Sequence, residues 1–163
     1  MEAKNYEFDN LDLKILSLLV ENGNMPYTEV AQQVHTSGGT VHVRMRKLEE
    51  TGIVKKMQLV VDYQKLGYDV TAYLGIYLNK SSQYRDVVQG LNEIPEIVEC
   101  HYTTGNYSMF VKVICRDTRH LREVLSEKIQ TIEGIQRTET LISLENSIDR
   151  PLKFWGDSAT SVL

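Results

Sequence analysis

Leu11, Ile15, Leu18 and Leu19 recur at the spacing of one helical face, with Asp9 or Asn10 placed to cap the start and Gly23 to stop the run. After Pro26, the segment 28–34 carries Val30, Ala31 and Val34 on one side, which predicts a second, shorter helix, and His35-Thr36 then make a turn. Ser37 suits an N-cap, and through 40–51 the apolar residues Val41, Met45 and Leu48 fall at i, i+4 and i+7 before Gly52 ends the pattern. The third helix therefore has a narrow buried stripe and a wide polar face.

Residues 53–61 mix β-branched side chains with Lys55, Lys56 and Gln58 and read as a strand leaving the helical unit, while 62–69, with Gly67, reads as a connector. Beyond it the periodicity alternates between 2 and 3.6. It predicts a strand at 70–78, a helix at 82–94 with Val87, Val88, Leu91 and Ile94 inward, and a strand at 97–103. A Gly105-Asn106 turn follows, then a strand at 107–115, a helix at 118–132 with Leu121, Val124, Leu125 and Ile132 inward, and a strand at 135–144. The order is βαββαβ, the split-βαβ, ferredoxin-like pattern of one antiparallel sheet with both helices on one face. The expected organisation is α+β: a helix-turn-helix domain at 1–54, strand and linker at 55–69, a ferredoxin-like domain at 70–148 and a tail at 149–163. The tail, with Ser158, Thr160 and Ser161, shows no clear period and reads as loosely ordered.

Such a sheet has a second face that its helices leave bare. Alternation puts Tyr73, Gly75 and Tyr77, or Phe110 and Ile114, there. An apolar patch of that size calls for a cover, either a second chain's sheet or the N-terminal domain folded back.

Composition narrows the class. The chain has 163 residues, 42% hydrophobic and 25% charged, enough for two small domains that would each be marginal alone. No apolar run approaches the roughly 20 residues of a membrane span and the N-terminus lacks a signal-peptide pattern, so a cytoplasmic address is expected. Cys100 and Cys115 are too few for a disulfide framework and read as buried strand thiols. The net charge is −4, yet from His35 to Val60 Arg44, Arg46, Lys47, Lys55 and Lys56 face only Glu49 and Glu50.

Three short helices with a tight turn before a capped third helix are the arrangement that lays one helix in a DNA major groove. With Val41, Met45 and Leu48 inward, Thr40, Val43, Arg44 and Lys47 are expected outward, flanked by His42 and Arg46, with Ser37 and Gly39 at the helix start completing the DNA-binding set. Arg44 is the candidate for reading guanine edges; Arg46, Lys47, Lys55 and Lys56 are candidates for phosphates. One unit covers a half-site, so a dimer is expected on this ground too. In the second half, 101–108 gathers glycine, hydroxyls, an amide and two tyrosines in one turn, and 129–132 and 136–140 bring further hydrogen-bonding groups to the same half of the domain. Backbone N–H groups beside Gly105 suit a carboxylate, and a side-chain amide or hydroxyl suits an amino group. An enzyme is excluded by the lack of a nucleophile with an adjacent base, of paired carboxylates and of a phosphate loop. A metal-responsive repressor would draw on His35, His42, His101, His120 and the two cysteines, but no H-x₃-H or C-x₂-C pair starts a site. An architectural DNA-wrapping protein without effector stays open beside a ligand-responsive regulator.

Asp9-Asn10-Leu11-Asp12, Ser37-Gly38-Gly39-Thr40-Val41-His42-Val43-Arg44, Leu48-Glu49-Glu50-Thr51-Gly52-Ile53-Val54 and the βαββαβ half resemble the Lrp/AsnC family of feast/famine regulators, over about residues 7–148. Leu66-Gly67-Tyr68-Asp69-Val70, the 102–108 turn, Lys128-Ile129-Gln130-Thr131-Ile132 and Thr138-Glu139-Thr140-Leu141-Ile142 look like its asparagine-responsive branch. The resemblance implies a sequence-specific, non-enzymatic DNA-binding transcription regulator with no cofactor, whose ferredoxin-like half is a RAM domain. It implies homodimers that exchange contacts through an N-terminal arm and linker and assemble to octamers. An amino-acid effector, asparagine first, would bind between neighbouring C-terminal domains. Tyr102, Thr104, Gly105, Asn106, Tyr107 and Ser108 match the family's ligand-contacting turn, with Gln130 and Thr138 where neighbouring segments complete it. One departure stands out: Gly38 replaces a proline usual after the recognition-helix serine, and lacks the fixed φ that favours a first-turn proline.

Overall fold

The computed structural model describes residues 7–153, in two compact units: one within Met1–Val60 joined by the described part of Ile148–Leu163, the other Val61–Ser147. The helical unit holds α1 (Asn10–Glu21), α2 (Tyr27–Gln33) and α3 (Gly38–Glu50). Asp9, not Asn10, caps α1: its carboxylate accepts from the Leu11 and Asp12 amides, and the Asp12 side chain accepts from the Asp9 amide, a reciprocal capping box. Ile15, Leu19, Val30, Ala31, Val41, Met45 and Leu48 form the core, the stripes that periodicity selects. His35 turns the chain between α2 and α3 with φ 56°, a left-handed conformation in which histidine is among the more frequent non-glycine residues.

The core also contains a charge. Asp12 is completely buried, and the Arg44 guanidinium on α3 reaches it at 2.9 Å while bonding both Asp9 oxygens at 2.8 Å. Burial taken alone would raise the Asp9 carboxyl, but its bonds to the Asp12 amide and Arg44 outweigh that and hold it below the usual carboxylate range. Hydrogen bonds to Asp12 and Asp9 raise Arg44. The expectation that Arg44 points outward is corrected here: its side chain is only 27% exposed and pins the third helix to the cap of the first.

Ser37 caps α3, its Oγ accepting from the Thr40 amide at 3.0 Å. Gly38 is at the first helical position, where the N–H has no intrahelical partner. Its φ is not positive, and a Cβ there would meet Thr28 at an ordinary 3.6 Å. Ser37, at φ −97° and ψ 151°, already has the extended conformation that a following proline demands.

The strand expected at 53–61 does not form. A strand needs a ladder partner and this chain supplies none among its described residues; Met57, Leu59 and Val60 are left 56%, 79% and 90% exposed. A 3₁₀ turn (Gln64–Leu66) closed by Gly67 at φ 83° opens the second unit.

That unit contains β1 (Val70–Leu78), α4 (Tyr84–Asn92), β2 (Ile97–Tyr102), β3 (Met109–Cys115), α5 (Thr118–Glu123) and β4 (Ile135–Ile142). The sheet order is β2-β3-β1-β4 with antiparallel neighbours, the expected ferredoxin-like arrangement. Ala72, Leu74 and Ile76 of β1 and Met109, Val111, Val113 and Cys115 of β3 pack with Val87, Leu91, Leu121, Val124 and Ile129 from the helices. The uniform helix expected through 118–132 is interrupted: α5 continues as a π turn, Val124–Ile129. One extra residue per turn rotates the inward stripe, so that Ile129 is fully buried and Lys128, which a straight α-helix would place below Val124 and Leu125, reaches Glu96 instead at 2.7 Å. His120 shares the same Glu96 oxygen at 3.1 Å while accepting the Arg116 amide on Nδ1, so Nε2 carries the proton. Burial alone would raise Glu96; the bond from Lys128, with help from His120, brings it below its ordinary value. Cys115 is buried and its thiol pushed up to about 11 by that burial, but Cys100 is exposed, correcting the expectation for it, because β2 is an edge strand.

Two outcomes follow. Arg44→Ala removes the cation from a buried carboxylate and is expected to cost about 3 kcal/mol in the helical unit, the low end for a broken buried pair because Asp12 keeps the Asp9 amide; chemical denaturation followed by circular dichroism measures it, and a loss under about 0.5 kcal/mol would contradict the clamp. Gly38→Pro is expected to stabilise the same unit by about 0.4–1 kcal/mol through the unfolded chain, read as a raised Tm. Destabilisation would mean that the first turn needs a conformation proline cannot take.

Candidate DNA-reading helix and effector turn

With Val41, Met45 and Leu48 buried, α3 turns His42, Val43, Arg46 and Lys47 outward, and Val43 is 65% exposed, outside the helical core. Arg46 pairs with Glu50 at 2.9 Å, but both side chains are mostly exposed, so the pair is worth under about 1 kcal/mol and yields readily to a phosphate. The His42 ring lies 5.9 Å from that of Tyr27, which ties it to α2. Ser37 and Thr40 share a 2.8 Å hydroxyl bond at the helix start, with Gly39 exposed beside them. Seven of the eight candidates therefore stand at the start or on the outward side of the helix, and Arg44 alone is drawn in. The sequence carries half of the signal for that exception: the Asp9-x-x-Asp12 spacing marks a capping box, but an arginine 32 residues further on is joined to it only by the fold.

In the second unit the turn between β2 and β3 is built by short bonds. The Thr103 hydroxyl donates to the Tyr107 carbonyl at 2.8 Å, the Thr103 amide to Ser108 O at 3.1 Å and the Ser108 amide to Ile76 O on β1 at 2.9 Å. Gly105 sits at φ 112°, and Thr104, Gly105 and Asn106 are exposed. Thr138 on β4 lies opposite Ile76, and Ile76 opposite Met109, so the register brings Thr138 to the same end of the sheet as the turn. Tyr102 is 59% exposed, its ring 4.5 Å from that of Tyr84. Gln130 follows directly on the π turn and is exposed. Tyr107 points elsewhere. Its ring lies across the helix-free face over Gly75, where any Cβ would overlap it, and its hydroxyl donates to Glu139 at 2.9 Å.

That face carries both sets the alternation offered, since Gly75 pairs with Phe110 and Thr71 with Ile114; Tyr73 stacks on Phe110 at 5.7 Å. Two hollows lie away from the turn. One of 260 Å³ is lined by Ser17, Val20 and Glu21 of α1 with Arg150–Lys153, and one of 160 Å³ lies beside α4 and β2. Within one copy Thr104, Gly105 and Asn106 at the tip of the turn stand exposed. Among the described residues no three His, Cys, Asp or Glu side chains converge as metal ligands, and no helix is long and apolar enough to cross a membrane.

Known proteins share this organisation. Residues 8–55 match a winged helix-turn-helix DNA-binding domain, and residues 71–152 match the Lrp/AsnC ligand binding domain. The regulatory protein AsnC of Haemophilus influenzae is 45% identical over 148 residues, covering 91% of this chain and 99% of that one. AsnC of Escherichia coli is 45% identical over 150 residues, covering 92% and 99%. The solved structure of E. coli AsnC superposes with a TM-score of 0.85 at 44% identity, over 91% of this chain and 99% of the other. A Neisseria meningitidis transcriptional regulator solved as a complex with L-Met has the same fold, with a TM-score of 0.84 at 20% identity over 88% and 94% of the two chains. The relatives are regulators rather than enzymes. The helix-turn-helix unit and the four-stranded domain are therefore the two parts of one known design, and the chain belongs to the Lrp/AsnC family of DNA-binding transcriptional regulators that carry a ligand-binding domain.

Proposed function

We propose that the chain acts in the cytoplasm as a homodimer that assembles further, to octamers, and that an amino acid held at residues 102–108, asparagine first, shifts its DNA binding or its assembly. The observation that carries the effector reading is the register of β4: Thr138 comes to the end of the sheet where Gly105 and its neighbours expose their backbone. N–H groups there suit a carboxylate, and the hydroxyls of Thr104 and Ser108 and the amides of Asn106 and Gln130 suit an amino group or a side-chain amide. In one copy this is an open surface, so a second copy is needed to enclose a ligand. An amino acid as the class is supported by the Neisseria regulator caught with L-Met, and asparagine by the 45% identity to AsnC over nearly the whole chain.

On the DNA side, α3 of each copy would enter one major groove with Ser37, Gly39, Thr40, His42, Val43, Arg46 and Lys47. Arg44 contributes by holding α3 to α1. Base discrimination then falls to the short side chains and His42, while Arg46 and Lys47 meet phosphates. Two copies supply two half-sites. The second copy also gives the unpaired segment around Met57–Val60 a strand to pair with and covers Tyr73, Tyr77 and Phe110.

The test is a melting screen of the purified protein against the twenty amino acids, followed by operator titration with whichever one raises the melting temperature. A ligand of the folded state at a hundredfold excess over its Kd stabilises by about 2.7 kcal/mol, a rise of several degrees. The expected result is a rise with asparagine and a changed operator affinity in its presence; no rise with any amino acid would overturn the effector reading.

A further inference from the structure

The helix-free face has a charged centre. Glu139 of β4 lies opposite Gly75 of β1, and Gly75 opposite Phe110 of β3, so one row across the sheet runs carboxylate, glycine, aromatic ring. One step along, Arg137 lies opposite Tyr77. Three donors converge on the carboxylate: the Tyr107 hydroxyl on Oε2 at 2.9 Å, and the Tyr77 hydroxyl at 3.1 Å and Arg137 Nη1 at 2.6 Å on Oε1. The Arg137 guanidinium also sits 3.6 Å above the Tyr77 ring, and the Tyr77 and Tyr107 rings meet edge to face at 5.3 Å. Of the groups gathered here Tyr107 is the one that belongs to the effector turn, and it enters the network with its side chain directed away from that turn.

The turn's other ties are Thr103 to Tyr107 within it, Ser108 to Ile76 and Leu78 on β1, and the Tyr102 ring to Tyr84 at the start of α4. Tyr107 to Glu139 is the tie that reaches across to β4, and Gly75 makes room for it, because a side chain at that position would displace the ring. A bare glycine in the middle of a strand costs sheet stability, so its presence under the ring is a cost borne for that close approach. Hydrogen bonds, that from Tyr107 foremost and then that from Arg137, hold the Glu139 carboxyl below its ordinary range, and the same bond to Glu139 raises the Tyr107 phenol, so both partners keep one protonation state around neutral pH.

We propose that Glu139 is a positioning residue of the effector turn: it does not touch the effector but anchors Tyr107, and through Tyr107 fixes the backbone of Gly105 and Asn106 in a receptive geometry. This rests on the effector reading of residues 102–108. It also joins two parts of the molecule, since whatever covers the helix-free face covers the anchor, and the geometry of the turn and the cover of the face become one linked quantity.

The experiment uses the full-length protein and two readouts. The first is the affinity for L-asparagine, or for whichever amino acid raises the melting temperature of the unmodified protein, measured by calorimetry. The second is amide hydrogen exchange at 103–108, which needs no ligand. Tyr107→Phe and Glu139→Ala are each expected to weaken the effector about tenfold, the scale of one lost hydrogen bond to a charged group, and to speed exchange in the turn while β1 and β3 keep their protection. Glu139→Gln, which retains an acceptor oxygen, is expected to fall between Glu139→Ala and the unmodified protein. The double variant should lose no more than either single, because both remove the same bond. Tyr77→Phe, which removes a donor that is not in the turn, should stay within twofold. Operator affinity without effector should be unchanged in Glu139→Ala. Unaltered affinity and exchange in Glu139→Ala, or losses that simply add in the double variant, would overturn the proposal. If no amino acid binds the unmodified protein, the effector reading fails and the role of Glu139 in it fails too; the exchange data then report separately whether the anchor holds the turn.

Discussion

A four-stranded sheet with both helices on one side buries half of its surface within its own chain and leaves the other half to be dealt with. Here the buried half is ordinary: Leu74, Ile76, Val111 and Val113 close on Val87, Leu91 and Ile129. The other half is not a plain apolar sheet. It carries stacked Tyr73 and Phe110, the crossed rings of Tyr77 and Tyr107, and a carboxylate whose oxygens are taken up by two phenols and a guanidinium. A lone carboxylate under a second layer would be costly. One already supplied with three donors can go under cover at much smaller cost. The exposed Met57, Leu59 and Val60 make the same demand at the linker, where a strand-like sequence finds no strand to pair with among the described residues. Both features are accounted for by the proposed second copy, and the two reading helices that DNA recognition calls for come with it.

In the helical unit one polar contact sets the geometry. Asp12 is buried without residual exposure, closes the capping box of α1 and faces the Arg44 guanidinium. Arginine is suited to this because a single guanidinium nitrogen, here Nη1, carries two donor hydrogens and so serves both carboxylates. The arrangement fixes the angle at which α3 leaves α1, and it removes the most obvious base-reading side chain from the surface. The remaining outward face is modest in charge, with Arg46 partly balanced by Glu50. In the proposed dimer, affinity then depends on having two such helices in register rather than on strong contacts from one.

Much of the fold was legible because it follows from alternation and periodicity. β1 runs over the nine residues 70–78 at which aliphatic residues alternate with threonine, tyrosine and glycine, and the three buried positions of α3 are those its spacing selects. What was not legible depends on partners distant in sequence. Arg44 looked like a surface arginine because nothing near it in the chain announces Asp12. The π turn at Val124–Ile129 escaped because a 3.6 period was carried through a segment whose two fully buried residues, Val124 and Ile129, are five apart. The strand expected at 53–61 rests on a composition that suits pairing, while pairing needs a partner that the described residues of one chain do not provide. In the effector turn the residue types were readable, but the direction of the Tyr107 side chain was not, since it is decided by Gly75 and Glu139 on two other strands.

The central claim, that one copy is incomplete and a second copy covers the helix-free face, is tested most directly by the mass of the protein in solution, measured by sedimentation equilibrium at low micromolar concentration in physiological salt. The account predicts a dimer or a multiple of it. A monomer persisting through this range would contradict the account, leaving the aromatic face and the linker segment without the cover their exposure requires.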